Sequence, residues 1–326
     1  MKLSYSEEID LFALQSNPKL AQEIADFIGI PLSECTISRF ADGEFNVDIK
    51  KTVRGHHCFV VQSTCQPVND NYMELLIMMD ALKRASAKTI NIVMPYYGYS
   101  RQDRKVQPRQ PISAKLIADL LMTAGATRVL SMDLHAGQLQ GFFNIPIDNL
   151  EAAPIITSYF KKINIQDVVV VSPDHGGASR ARRFAQNFSD APMAIIDKRR
   201  PRPNEAEVMS IIGNVKGKNA IIVDDIIDTA GSAVATAEAL KAAGVNDIYM
   251  CATHAVLSKN AIERVNNSPI KKLIVTNTIP LKDGIKSDKI IVLSVAKLFG
   301  QGIINIIENK PISDLFTYNP KSELNQ

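Results

Sequence analysis

Short apolar runs alternate with amphipathic stretches of about ten to fifteen residues along most of the chain, the alternation expected of βαβ units. "VVVV" at 168–171 and "AIIV" at 220–223 carry no polar position, which predicts parallel strands buried on both faces. "GSAVATAEALKAAG" predicts a helix stopped at Gly244, a residue suited to a left-handed turn. The pattern also repeats. "VRGHHCFVVQS" (53–63) matches "VKGKNAIIVDD" (215–225), and "DALKRASAKTINIVMP" (80–95) matches "EALKAAGVNDIYMCA" (238–252). Ahead of both pairs, "LFALQSNPKLAQEIADFIG" (11–29) and "VVVVSPDHGGASRARRFAQ" (168–186) each give a strand, a polar turn and a helix. Each is followed by a further strand, "ECTISRFADGE" or "MAIIDKRRPRP". Three matches in one order predict a duplication: an α/β chain of two tandem domains, 1–150 and 151–326, joined near "DNLEAAP".

Composition narrows the class. Apolar residues make up 46% and charged residues 22% of 326, ordinary for a globular chain. A net charge of +3 gives no field for nucleic acid. The N-terminus has early acids and no apolar core of a signal peptide, and "LLIMM" (75–79) is too short for a membrane span. The four cysteines form no CxxC pair, which predicts a reduced, cytoplasmic setting. Adjacent histidines in "HHC" (56–58) would point to opposite faces of a strand, the wrong arrangement for zinc.

The chemistry begins at "AIIVDDIIDTAGS" (220–232), a buried strand running into acids and then into a helix start. Thr229, Gly231 and Ser232 offer hydroxyls and open backbone N–H groups at a helix N-terminus, which suits a phosphate. Asp224, Asp225 and Asp228 accept hydrogen bonds only, so they suit sugar hydroxyls or the waters of a metal ion. A phosphate end and a diol end together describe ribose 5-phosphate. The plain alternative is a strand-to-helix turn capped by Asp228. Other stretches carry similar alternatives. Taken by themselves, "RFADGEF" (39–45) reads as a simple hairpin turn, "DKRRPRPN" (197–204) as a solvated basic loop, and a lone His135 as a structural histidine.

"VDDIIDTAGS" resembles the ribose-phosphate loop of type I phosphoribosyltransferases. With "RFADGEFNV" (39–47), "PYYGYSRQDRK" (95–105), "SMDLHAGQLQGFF" (131–143), "SPDHGGASRAR" (172–182) and "DKRRPRPN", the whole chain resembles the class I ribose-phosphate pyrophosphokinases. The resemblance implies two phosphoribosyltransferase-like domains, each a mainly parallel sheet flanked by helices. It implies transfer of pyrophosphate from ATP to ribose 5-phosphate. There is no GxxxxGK[ST] or GxGxxG loop, so the nucleotide must be held otherwise. By resemblance Phe40, Asp42 and Glu44 meet the adenine end, with Arg101 and Gln102 in the same nucleotide site. The resemblance further implies that His135 and Asp174 hold Mg²⁺, that Asp224, Asp225, Asp228, Thr229, Ala230, Gly231 and Ser232 hold ribose 5-phosphate, and that Lys198 and Arg200 are catalytic, Arg200 also touching the sugar phosphate.

The family also implies a cytoplasmic homohexamer, activated by phosphate and inhibited by ADP. Where its regulatory stretch reads Ser-Val-Ser-Tyr-Leu-Phe, this chain has "PISDLF" (311–316); Pro311 and Asp314 predict altered effector control. Two alternatives stay open. A phosphoribosyltransferase would share the ribose loop without the duplication, and a non-catalytic regulatory relative would be expected to lack Lys198, Arg200, His135 or Asp174, all present here.

Overall fold

The computed structural model describes residues 8–199, 208–282, 284, 285 and 287–315. They form two compact units. The first opens with β1 (Ile9–Ala13), α1 (Pro18–Ile28) and the hairpin β2 (Cys35–Arg39) and β3 (Phe45–Ile49). It continues through β4 (His57–Val61), α2 (Val68–Arg84), β5 (Thr89–Met94), α3 (Ser113–Ala124), β6 (Arg128–Met132) and β7 (Ile147–Leu150). Its sheet runs β1-β4-β5-β6-β7, every pair parallel. α1 shows how local signals set an element. Asn17 accepts from Leu20 N–H at 3.3 Å, Pro18 opens the helix, and Gly29 closes it at φ 81°. Its buried face is Leu20, Ala21, Ile24, Ala25 and Ile28, one stripe at helical spacing.

The second unit contains α4 (Ala153–Lys162), β8 (Val168–Ser172), α5 (Ala178–Asn187), β9 (Met193–Arg199) and β10 (Val208–Ile212). β11 (Asn219–Ile227), α6 (Gly231–Ala242), β12 (Ile248–Ala255), α7 (Ala261–Asn266), β13 (Ile270–Thr276) and β14 (Ile290–Leu293) follow. Its sheet runs β10-β9-β8-β11-β12-β13-β14, with only β10 antiparallel to its neighbour. The five strands β8-β11-β12-β13-β14 repeat the order of β1-β4-β5-β6-β7, as the sequence repeat predicts. In both copies the "further strand" is a hairpin. β2 and β3 form a sheet of their own, whereas β9 joins β8 and extends the main sheet.

The helix after each seventh strand is exchanged. α4 follows β7 in the chain but packs on α5 of the second unit. α8 (Ala296–Ile307) follows β14 but packs on α1 of the first, where Gly300 lets Phe27 approach closely. Residues 278–280 and 294–315 therefore lie with the first unit, although they come late in the chain. No helix among the described residues is long and apolar enough to cross a membrane.

Candidate active site

In open parallel sheets, ligands gather at the carboxyl ends of the strands, where the connecting loops open. In the second unit, three adjacent strands, β9, β8 and β11, bring their carboxyl ends together. Asp174 follows β8, Lys198 lies near the end of β9, and Asp224 and Asp225 lie near the end of β11. Hydrogen bonds tie these three ends. His175 Nε2 lies 3.0 Å from Asp197 Oδ1, joining the β8 loop to the residue before Lys198. Arg180, on α5, reaches Asp224 Oδ1 and Asp225 Oδ1, each at 3.2 Å. The backbone of Lys198 is in β9, but its side chain and all of Arg200 lie outside the described residues.

The acid pair has an electrostatic problem. Asp225 is buried and Asp224 partly so, side by side on one strand. Burial, and then the charge of Asp225, push the Asp224 carboxyl up to about 7, against the pull of Arg180. A ligand with several hydroxyl donors would relieve the pair, which is what a ribose offers.

Beyond the acids, Ala230 takes the N-cap position of α6 at φ 59°, a left-handed conformation uncommon for a residue with a Cβ. It makes no side-chain cap. Asp228 is therefore not the N-cap residue; its carboxylate accepts from Ser258 Oγ, and its carbonyl from Ser258 N–H, in the β12–α7 turn. Arg264 Nη1 donates to Thr229 O at 3.1 Å and crowds Gly231. The first-turn N–H groups of α6 begin at Gly231 and Ser232, directly after the left-handed Ala230. Asp174 is exposed; its Oδ1 accepts from Gly177 N–H at 2.8 Å, which holds the β8 loop in a tight turn.

In the first unit the nucleotide candidates also sit beyond strand ends. Phe40, Asp42 and Glu44 form the tip of the β2–β3 hairpin: Phe40 N–H donates to Glu44 O, and Glu44 N–H to Asp42 Oδ1. Phe40 is 57% exposed, an aromatic face at the tip. Arg101 and Gln102 are exposed after β5, and Ser113 Oγ donates to Gln102 Oε1. Their neighbour Asp103 accepts from Gln138 Nε2 at 2.8 Å, which joins this loop to the segment carrying His135, exposed after β6. Arg39 reaches Asp70 at the start of α2 (2.8 Å), and Tyr99 OH donates to Asn69 on the same turn. His56 and His57 have separate partners, Asp10 and Thr89. Pro311 is exposed on the first unit, its carbonyl held by Asn305 Nδ2 at 2.8 Å.

Sequence reasoning passed over Arg180 and His175. The signal was present: an arginine just past the glycine pair of "SPDHGGASR", where a helix begins beside an acid-rich strand end.

A family model described as the N-terminal domain of ribose phosphate pyrophosphokinase matches residues 9–125. Another, described as the phosphoribosyl synthetase-associated domain, matches residues 192–317. The ribose-phosphate pyrophosphokinase of Oceanobacillus iheyensis is 58% identical over 317 residues, 97% of this chain and 100% of the relative. That of Bacillus subtilis is 56% identical over 311 residues, 95% and 98% of the two chains. Among solved structures, phosphoribosylpyrophosphate synthetase from Mycobacterium smegmatis matches with a TM-score of 0.88 at 41% identity, over 93% of this chain and 99% of its own. On the match of both halves and of near-full-length relatives, the chain belongs to the ribose-phosphate pyrophosphokinase family.

Proposed function

We propose that the protein transfers the β,γ-pyrophosphoryl group of ATP to the anomeric hydroxyl of ribose 5-phosphate, giving 5-phosphoribosyl 1-pyrophosphate and AMP. The anomeric oxygen bonds to the β-phosphorus, the bond from that phosphorus to the α,β-bridging oxygen breaks, and the hydroxyl proton is released. The observation that carries this reading is the meeting of the Asp224–Ser232 loop, the Asp174 loop and the Lys198 strand at three adjacent strand ends.

The residues divide the work. The 228–232 loop and the start of α6 receive the 5-phosphate, where backbone N–H groups favour an anion. Asp224 and Asp225 take the ring hydroxyls, with Arg180 fixing their direction. Lys198 and Arg200 cancel charge that spreads over the transferring group, the main task in phosphoryl-type transfer. Phe40 stacks on the purine while Asp42 and Glu44 accept from its amino group, and Arg101 and Gln102 hold the phosphate side.

Among the described residues, no three His, Cys, Asp or Glu side chains gather to hold a metal by themselves. Mg²⁺ takes few protein ligands and completes its shell with water and substrate phosphates, so Asp174 on the second unit and His135 on the first, both exposed, each suit an ion that enters with ATP. When bound, it would neutralise phosphate charge. Free, mostly buried cysteines favour a cytoplasmic setting, and the family resemblance favours a homohexamer with phosphate and ADP as effectors.

The test is purified protein with Mg²⁺, ATP and ribose 5-phosphate, following both nucleotides. AMP formed one-for-one with phosphoribosyl pyrophosphate is expected. ADP as the product, or no turnover, would remove the assignment.

A further inference from the structure

The strand β1 reads "IDLFA", and every position up to Phe12 is buried. Asp10 is out of place in it. Taking a carboxylate out of water is costly unless partners compensate, so a fully buried aspartate on this edge strand needs a reason. Its partners supply one. Oδ1 accepts from Ser33 Oγ at 2.7 Å and from Lys51 Nζ at 2.6 Å, and Oδ2 lies 2.8 Å from His56 Nδ1. Burial alone would raise its pKa, but the hydrogen bonds from Lys51, Ser33 and His56 outweigh it and hold the carboxyl below its ordinary value.

Those three partners bracket the hairpin. Ser33 stands just before β2, Lys51 just after β3, and His56 just before β4. Ser33 N–H also donates to Leu11 O at 2.7 Å, which fastens the incoming chain to β1. The hairpin itself shares no ladder with the five-stranded sheet. Toward its tip it is tied by Arg39–Asp70, an exposed pair of the kind that contributes little. Its inner face packs through Cys35, Ile37, Val47 and Ile49. Packing sets which face turns inward, and the ion cluster at the base ties both roots of the hairpin to β1.

We infer that Asp10 is a positioning residue for the nucleotide: it clamps both roots of the β2–β3 hairpin and so fixes where Phe40, Asp42 and Glu44 stand. The inference rests on the reading of that tip as the adenine-binding element. The lever is long. Strands of this length rise about 3.4 Å per residue, so the tip stands roughly 15 Å from the base, and a tilt of about 4° carries it about 1 Å. A shift of that size breaks hydrogen-bond geometry at a purine edge.

The experiment is steady-state kinetics on Asp10→Asn, Ser33→Ala, Lys51→Met and Phe40→Ala, with thermal melting for each. Asp10→Asn is expected to raise KM for ATP about tenfold while KM for ribose 5-phosphate stays within twofold. Ser33→Ala and Lys51→Met, each cutting one arm, are expected to raise KM for ATP about threefold, and they carry the test if Asp10→Asn does not fold. A lowered Tm with KM for ATP unchanged would reduce Asp10 to a purely structural role and overturn the inference. Phe40→Ala separates the two levels. If it raises KM for ATP and the base variants do not, the clamp fails and the reading of the tip stands. If it leaves KM for ATP unchanged, the reading of the tip fails and the clamp's role in nucleotide binding falls with it.

Discussion

The loop after β4 and the loop after β11 leave matching strands of matching sheets, yet they use their polar side chains in opposite ways. At the end of β4, Gln62 is fully buried. Its amide nitrogen donates to Asn71 O at 3.1 Å and to Glu74 Oε2 at 3.0 Å, and its oxygen accepts from Ser16 N–H and Oγ at 3.2 and 2.6 Å. Ser63 beside it donates to Thr278 O at 2.5 Å. Burial pushes the Glu74 carboxyl up, and bonds from Gln15 and Gln62 restrain it. This loop is a closed joint. At the end of β11 the two matching positions are Asp224 and Asp225, two acids bridged by Arg180 and strained by each other's charge. Fold alone therefore makes no site; the same strand end closes or opens with two side chains.

The comparison can be broken most forcefully at the charge beside the open loop. Lys198→Ala is expected to lower kcat about a hundredfold, the roughly 3 kcal/mol typical of one preorganised charge-stabilising contact, with little change in either KM. A folded variant that keeps most of its kcat would return the basic stretch to a solvated loop.

The closed joint should resist conversion. Gln62→Asp removes both donated bonds and sets a second acid near Glu74, so a loss of about 2–4 kcal/mol of stability is expected, with no second ribose 5-phosphate site gained. Thermal melting checks it; an unchanged Tm would mean that the Gln62 network carries little of the joint.

A smaller effect is expected from the loop's own anchor. Asp228→Ala removes the carboxylate's bond from Ser258 Oγ, leaving only the backbone bond between the two residues, and should raise KM for ribose 5-phosphate about tenfold, roughly 1.4 kcal/mol, while KM for ATP holds. Equal rises in both would point to general damage.

The subtlest difference is in pH. The folded pKa of Asp224, about 7, lies above its ordinary 3.8. Protons bound in that window favour the folded state, so this contribution to stability is present below pH 3.8 and is lost as pH rises through 7. Asp225→Asn removes the second-ranked cause, so its Tm relative to the unsubstituted protein should climb between pH 5 and pH 8. Glu74 shifts in the same direction but cancels in the comparison. A difference independent of pH would contradict the coupling.

Much of this was legible in the chain because it is local or periodic. "VVVV" and "AIIV" announce buried parallel strands, and the acid-to-hydroxyl turn at 224–232 carries its chemistry in nine consecutive letters, "DDIIDTAGS". The match of "VVQS" with "IVDD" even locates the closed joint, though not that Gln62 turns inward, which depends on Glu74 and Ser16 from other segments. Arg180 escaped notice because its role exists only once α5 lies against β11. The seat of α8 on α1 was equally hidden: a helix stripe shows that a partner exists without naming it. Asp10, by contrast, was visible as one acid in an apolar run, and only the ends of the hairpin explain it.

Calorimetric titration of ribose 5-phosphate into the full chain tests the central claim, that one strand end of the two is a sugar-phosphate site. One ligand per chain is predicted, lost in Asp224→Asn/Asp225→Asn and retained in Gln62→Glu where that variant folds. Two ligands per chain, or binding that survives the loss of both aspartates, would contradict it.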